Sequence, residues 1–211
     1  MNKKLSSAAG LFVLATAGAF LAPAAQAGTA ATAVPYLCPT EVDGEPFVLD
    51  YERGYDVTAP AQVQPGEHFT VKFDSEPINP LPQFNKQVWD VRMVFTLPAD
   101  AEVAGYELVG GSNLGDSQQN VQVEGDRLIL DATGPFVADE DADLPDLVVE
   151  LVAPAEGELV TAPAGTSYDD PGFRWTSEDP SNGQVGDLQC YPDPKKPVRF
   201  TTTAVQATEQ G

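Results

Sequence analysis

The 211 residues carry 32 Asp and Glu against 11 Lys and Arg, a formal net charge of −21 at neutral pH. A surface this acidic repels nucleic-acid phosphates and anionic lipid headgroups, which argues against both as partners. With 19 prolines and 18 glycines spread along it, the chain has no room for long helices.

The first stretch, MNKKLSSAAGLFVLATAGAFLAPAAQAGTA, reads as an export signal. Lys3 and Lys4 give a positive start, Leu5 to Leu21 an apolar run of small residues, and Ala25-Gln26-Ala27 the pattern cut by a signal peptidase. Cleavage is predicted between Ala27 and Gly28, and loss of the two lysines would deepen the negative charge by two. A membrane anchor would need roughly 20 consistently apolar residues. This run is rich in Ala, Gly and Ser, no lipobox cysteine follows it, and no later segment reads as membrane-inserting. The predicted organisation is a signal at 1–27, a flexible start at 28–33, one domain at 34–205 and a frayed tail at 206–211.

Along the domain, apolar residues recur every second position, the mark of strands with one buried face. FVLDYE puts Phe47, Leu49 and Tyr51 together, and FTVKF does the same for Phe69, Val71 and Phe73. In VWDVRMVFTLP, Trp89, Val91, Met93, Phe95 and Leu97 share a face. LVVELV groups Leu147, Val149 and Leu151; Phe173 pairs with Trp175, and Val198 with Phe200. Pro65-Gly66 precedes a strand, LVGGSNLGDSQQ is a glycine-rich loop, and NVQVEGDRLILD is a hairpin turning at Gly125-Asp126. The pattern predicts an all-β chain: an antiparallel immunoglobulin-like β-sandwich of roughly eight to ten strands.

Cys38 and Cys190 are the only cysteines. In an exported chain two such residues usually pair. The bridge would close almost the whole domain, a stabilisation on the order of 5 kcal/mol by chain-entropy arithmetic. It would hold the first and last segments side by side, within roughly 7 Å between Cα atoms. No Cys-x-x-Cys spacing suggests a redox pair.

Candidate chemistry is sparse. The one histidine, His68, falls on the solvent face with Thr70 and Lys72, and Gly110-Gly111-Ser112-Asn113-Leu114 lacks the second glycine of a nucleophile elbow. One histidine and two bridged cysteines cannot build a zinc site. GPFVADEDADLPDL crowds Asp139, Glu140, Asp141, Asp143 and Asp146 together, and Asp139, Asp141 and Asp143 could supply some of the six to eight oxygens that Ca²⁺ takes. The EF-hand pattern is absent, and a charge run of this kind is commonly just solvated. No other cofactor is indicated. Paired carboxylates could in principle hydrolyse a glycan. Trp89 and Trp175 could stack on sugars, although their apolar strand faces favour packing. DSEPINPLPQFNKQ is a proline-dense connection whose Ile78, Leu81 and Phe84 would form a partner-binding patch if exposed, or a cover over the open end of the sandwich if not.

Cys38, VTAPAQVQPGEHFTV, FTLPADAEV, VEGDRLILDATGPF, LVAPAEGELVTAPAGT and Cys190 together resemble actinobacterial secreted domains of unknown function with an immunoglobulin-like sandwich. The resemblance spans most of 34–205. It implies an exported, envelope-associated life and brings no catalytic residues. The reading that results is a secreted or envelope-held, non-enzymatic binding or structural module whose partner is an unknown protein or glycan. A carboxylate-based glycan hydrolase and a calcium-stabilised surface module are the alternatives.

Overall fold

The computed structural model describes residues 30–42 and 44–206; the predicted signal, with its Ala27/Gly28 cleavage site, lies outside them. All regular structure among these residues is β. The strands are β1 (Ala30–Val42), β2 (Glu45–Thr58), β3 (Gln62–Val63), β4 (His68–Ser75), β5 (Gln87–Thr96), β6 (Glu102–Val109) and β7 (Gln119–Glu124). They continue with β8 (Arg127–Ala132), β9 (Phe136–Val137), β10 (Asp146–Val152), β11 (Gly157–Pro163), β12 (Phe173–Glu178), β13 (Val185–Pro192) and β14 (Thr201–Val205). Two layers form the sandwich. One runs β6-β10-β4-β2-β1, the other β7-β8-β5-β12-β13, and the β1–β13 pairing joins them along one side. On the other side β11 leaves β5 and pairs with β14, which carries β3 as the sole parallel neighbour among the described residues.

The 14 strands exceed the eight to ten predicted. The surplus includes the two-residue strands β3 and β9 and also β6, whose half-exposed face blurs its alternation. Ala30–Ala33, predicted to be flexible, pair instead with Gly54–Val57 of β2. Gln206 is also tied down, its amide donating to the Val63 carbonyl at 2.8 Å. The β7–β8 hairpin turns at Gly125-Asp126 as predicted, with Gly125 at φ 64°, a conformation that suits glycine.

The inward faces meet in one core. Phe69, Val71 and Phe73 are buried from β4, and Leu147, Val149 and Leu151 from β10. Phe73 stacks on Phe95 at 4.6 Å, and Tyr55 and Phe200 close around them. Trp89 departs from its predicted face. Between Arg174 and Thr176, whose partners are Arg92 and Trp89, β5 has one residue more than β12. Asp90 takes it up at φ 52°. This bulge flips the alternation, so Val88 is buried in place of Trp89, which is only half-buried on the outer face.

Candidate functional site: a fork between β1 and β13

The predicted disulfide is present, Cys38 to Cys190, with Cα atoms 4.2 Å apart across 152 positions. It joins residues directly opposite each other, continuing the register Tyr36–Pro192 and Leu37–Tyr191. The short Cα separation marks a position whose own amides do not bond across the ladder. The next residue, Pro39, therefore stands where an amide should donate to β13, and proline has none. Pairing stops there. β1 continues with β2 as a two-stranded arm to Val42, while β13 pairs over Val185–Cys190 with β12 alone. The strands part as a fork with the disulfide at its base.

A cleft of about 430 Å³ fills the fork. Thr40, Leu49 and Tyr51 line it from the arm, Trp175 and Ser177 from β12, and Gly186, Asp187 and Leu188 from β13. Asn79, Leu81, Phe84 and Asn85 of the 76–86 connection form its lip. The proline-dense connection splits the two roles foreseen for it. Ile78 is fully buried and pairs with Ala142, whereas Leu81 and Phe84 remain 50% and 66% exposed. Leu49 beside them is also exposed, 38%, as is Phe47 farther along the arm. Phe47 and Leu49 thus do not join the buried face that their alternation with Tyr51 suggested.

Behind the cleft the wall is aromatic. Tyr51 stacks on Phe173 at 5.5 Å and meets Trp175 edge-on. Trp175 is nearly buried, in keeping with packing rather than open stacking on a ligand. Arg53, 1% exposed, lies over the Phe173 ring at 5.1 Å. It donates to the Glu76 carbonyl and sits 3.8 Å from the Glu76 carboxylate, and its Nε has no partner. The period-two order Tyr51-Arg53-Tyr55-Val57 could have placed Arg53 inward from sequence. Burial pushes the Tyr51 and Tyr36 hydroxyls up and that of Tyr55 up to about 12; Tyr36 and Tyr55 hydrogen-bond each other at 3.0 Å.

A second, polar cleft of about 260 Å³ lies on the outer face of β12 and β13, with Asp90, Asp131, Arg174 and Asp187 in its lining. Arg92 grips Asp131 with bonds of 2.6 and 2.9 Å, and Asp187 accepts from the Thr176 hydroxyl at 2.8 Å. The carboxylates displaced from their ordinary range lie elsewhere. Burial raises Asp74, Arg127 lowers Asp170 to about 2, Lys86 lowers Glu178, and Ser181 lowers Asp179. A glycosidase needs two acids with separated pKa values facing across one cleft, and these four do not line either of these. His68 is exposed and bonds Glu150 at 2.8 Å.

The acidic connection is more ordered than a solvated charge run. It contains β9, and Asp143 pairs with Ser112. Asp141 accepts from Asn79 at 2.5 Å, tying the acidic segment to the cleft lip. Asp139, Asp141 and Asp143 do not converge, and no group of three acid, His or Cys side chains among the described residues could hold a metal ion.

No protein-family model and no curated protein matches the chain. Among solved structures, a protein of Corynebacterium diphtheriae described as membrane anchored aligns with 85% of this chain at 15% identity and a TM-score of 0.48. This chain spans 38% of that protein's length. A non-cellulosomal cohesin from Archaeoglobus fulgidus aligns over 72% of this chain and 91% of its own, at 15% identity and a TM-score of 0.37. The sixth cohesin of Acetivibrio cellulolyticus scaffoldin B, solved with a Cel5 dockerin, aligns over 69% and 94%, at 12% identity and 0.39. The β-sandwich itself stands on the strand pairing described above.

Proposed function

We propose that the protein is an exported, non-enzymatic binding module that engages a partner protein through the cleft in the β1–β13 fork. One observation carries this: Leu49, Leu81 and Phe84 converge, exposed, around an opening that leads to the aromatic wall of the core. Soluble proteins seldom leave a contiguous apolar surface without use for it. A protein partner fits better than a glycan, because Leu49, Leu81 and Leu188 give the cleft aliphatic surface and the Tyr51 and Trp175 rings behind them pack against Phe173 rather than lying open. The disulfide supports an oxidising compartment and hence export.

The test places a photo-cross-linking residue at Phe84 and, in a second protein, at Glu107 on the far sheet, each expressed in the native host. The Phe84 probe should trap one discrete partner, and Leu81→Asp should abolish the product without lowering Tm. Equal products from both positions, or none, would sink the reading.

A further inference from the structure

Resting on that reading, we infer that the partner enters the fork as an extended strand of alternating apolar and basic residues, hydrogen-bonded to the free edge of β13. The amide directions follow from two bonds. Asp193 donates to the Pro35 carbonyl at 2.8 Å, and Gly172 donates to the Cys190 carbonyl at 2.9 Å. Odd-numbered residues of β13 therefore point their backbone groups toward β1, and even-numbered ones toward β12. Beyond the disulfide, Val185, Asp187 and Gln189 turn amides and carbonyls into the fork, where none of the described strands pairs with them. The opposite edge cannot match this, because Pro39 has no donor. β13 is thus an open template of the kind that accepts an added strand.

The two faces of β13 define the occupant. A strand laid along it points alternate side chains to opposite faces. One set enters the apolar cleft among Leu49, Leu81, Phe84 and Leu188. The other set reaches the polar cleft, where Asp90, Asp131 and Asp187 outnumber Arg174. Asp131 already holds Arg92, but Asp90 and Asp187 form no ion pair among the described residues. Cationic side chains complement that lining. A second copy of this chain does not, given its charge of −21.

The test uses an eight-residue peptide alternating valine and lysine, titrated into the oxidised protein and followed by calorimetry and by amide shifts of Val185, Asp187 and Gln189. Binding should shift those amides and slow their exchange. It should weaken at least tenfold when alternate peptide amides are N-methylated, and at least tenfold when glutamate replaces lysine. Asp187→Pro, which removes an edge donor without touching the β12 ladder, should weaken it similarly; should that variant misfold, the N-methylated peptide tests the same bonds on the unaltered protein. Equal binding of native and N-methylated peptides, or no binding at all, overturns strand addition. If the Phe84 cross-link still traps a partner in that case, the cleft reading survives alone; if the cross-link also fails, both fall.

Discussion

The two sides of the Cys38–Cys190 bond differ although the same strands build them. On one side β2 buries Tyr55 and Val57 against Phe73, Phe95 and Phe200; on the other, the same face of β2 leaves Leu49 and Phe47 in water. The alternation is equally regular in both stretches. It reports which face is apolar and is silent on whether a neighbour covers it. The neighbour is lost because a single proline ends the β1–β13 ladder one residue past the disulfide.

Removing the bond should erase this contrast most strongly. Cys38→Ser with Cys190→Ser is expected to cost about 4 to 5 kcal/mol in urea unfolding, given the length of chain enclosed. A loss below about 1 kcal/mol would mean that hydrogen bonding alone holds the seam. Next comes a matched pair of truncations. Phe95→Ala, in the closed half, should cost about 3 to 5 kcal/mol by cavity formation, and Phe84→Ala, at the open lip, less than about 0.5 kcal/mol. Comparable losses would show the fork to be packed like the core.

Away from the fork, Arg127 and Asp170 form a bidentate pair at 2.5 and 2.8 Å. Both side chains are about a third exposed, so Arg127→Ala should cost about 1 kcal/mol at pH 7. The folded carboxyl, at about 2, lies below its ordinary 3.8. Its contribution is therefore present above pH 4 and lost as the pH falls through 4 toward 2, where variant and parent should converge. A gap unchanged at pH 2 would assign the loss to packing instead.

Pro39→Val should lengthen the seam, adding about 0.5 to 1 kcal/mol through a restored ladder bond, slowing exchange at Gln189 and weakening the valine–lysine peptide. Unchanged exchange would show that something other than the missing amide parts the strands. The smallest effect is expected from calcium. Millimolar Ca²⁺ should leave Tm in place, since the acids of the 134–147 connection do not converge. A rise abolished by Asp139→Asn, Asp141→Asn and Asp143→Asn would restore a metal role to that segment.

Much of the closed half is legible in the sequence. Phe69-Val71-Phe73 and Leu147-Val149-Leu151 lie inward as their spacing predicts, the hairpin turns at Gly125, and the two cysteines meet. Trp89 is not, because alternation assumes an unbroken register, and the Asp90 bulge depends on what β12 does opposite. Leu81 and Phe84 are legible as candidates, but only three-dimensional packing separates them from the buried Ile78, since all three sit in irregular chain without a period. The fork itself needs two distant facts together: Pro39 on one strand, and the facing of Gln189 on the other.

The disulfide also sets how the molecule bears tension. A pull between Val34 and Gln206 crosses from β1 to β13 through one covalent bond, and the 152-position span that the bond closes is taken out of the load path. Beyond Cys190 the load reaches β14, which is held to β11 by five residue pairs and to β3 by two. A partner gripping the fork would hold the covalently closed seam, while the pull on Gln206 is borne by β14 and its two neighbours.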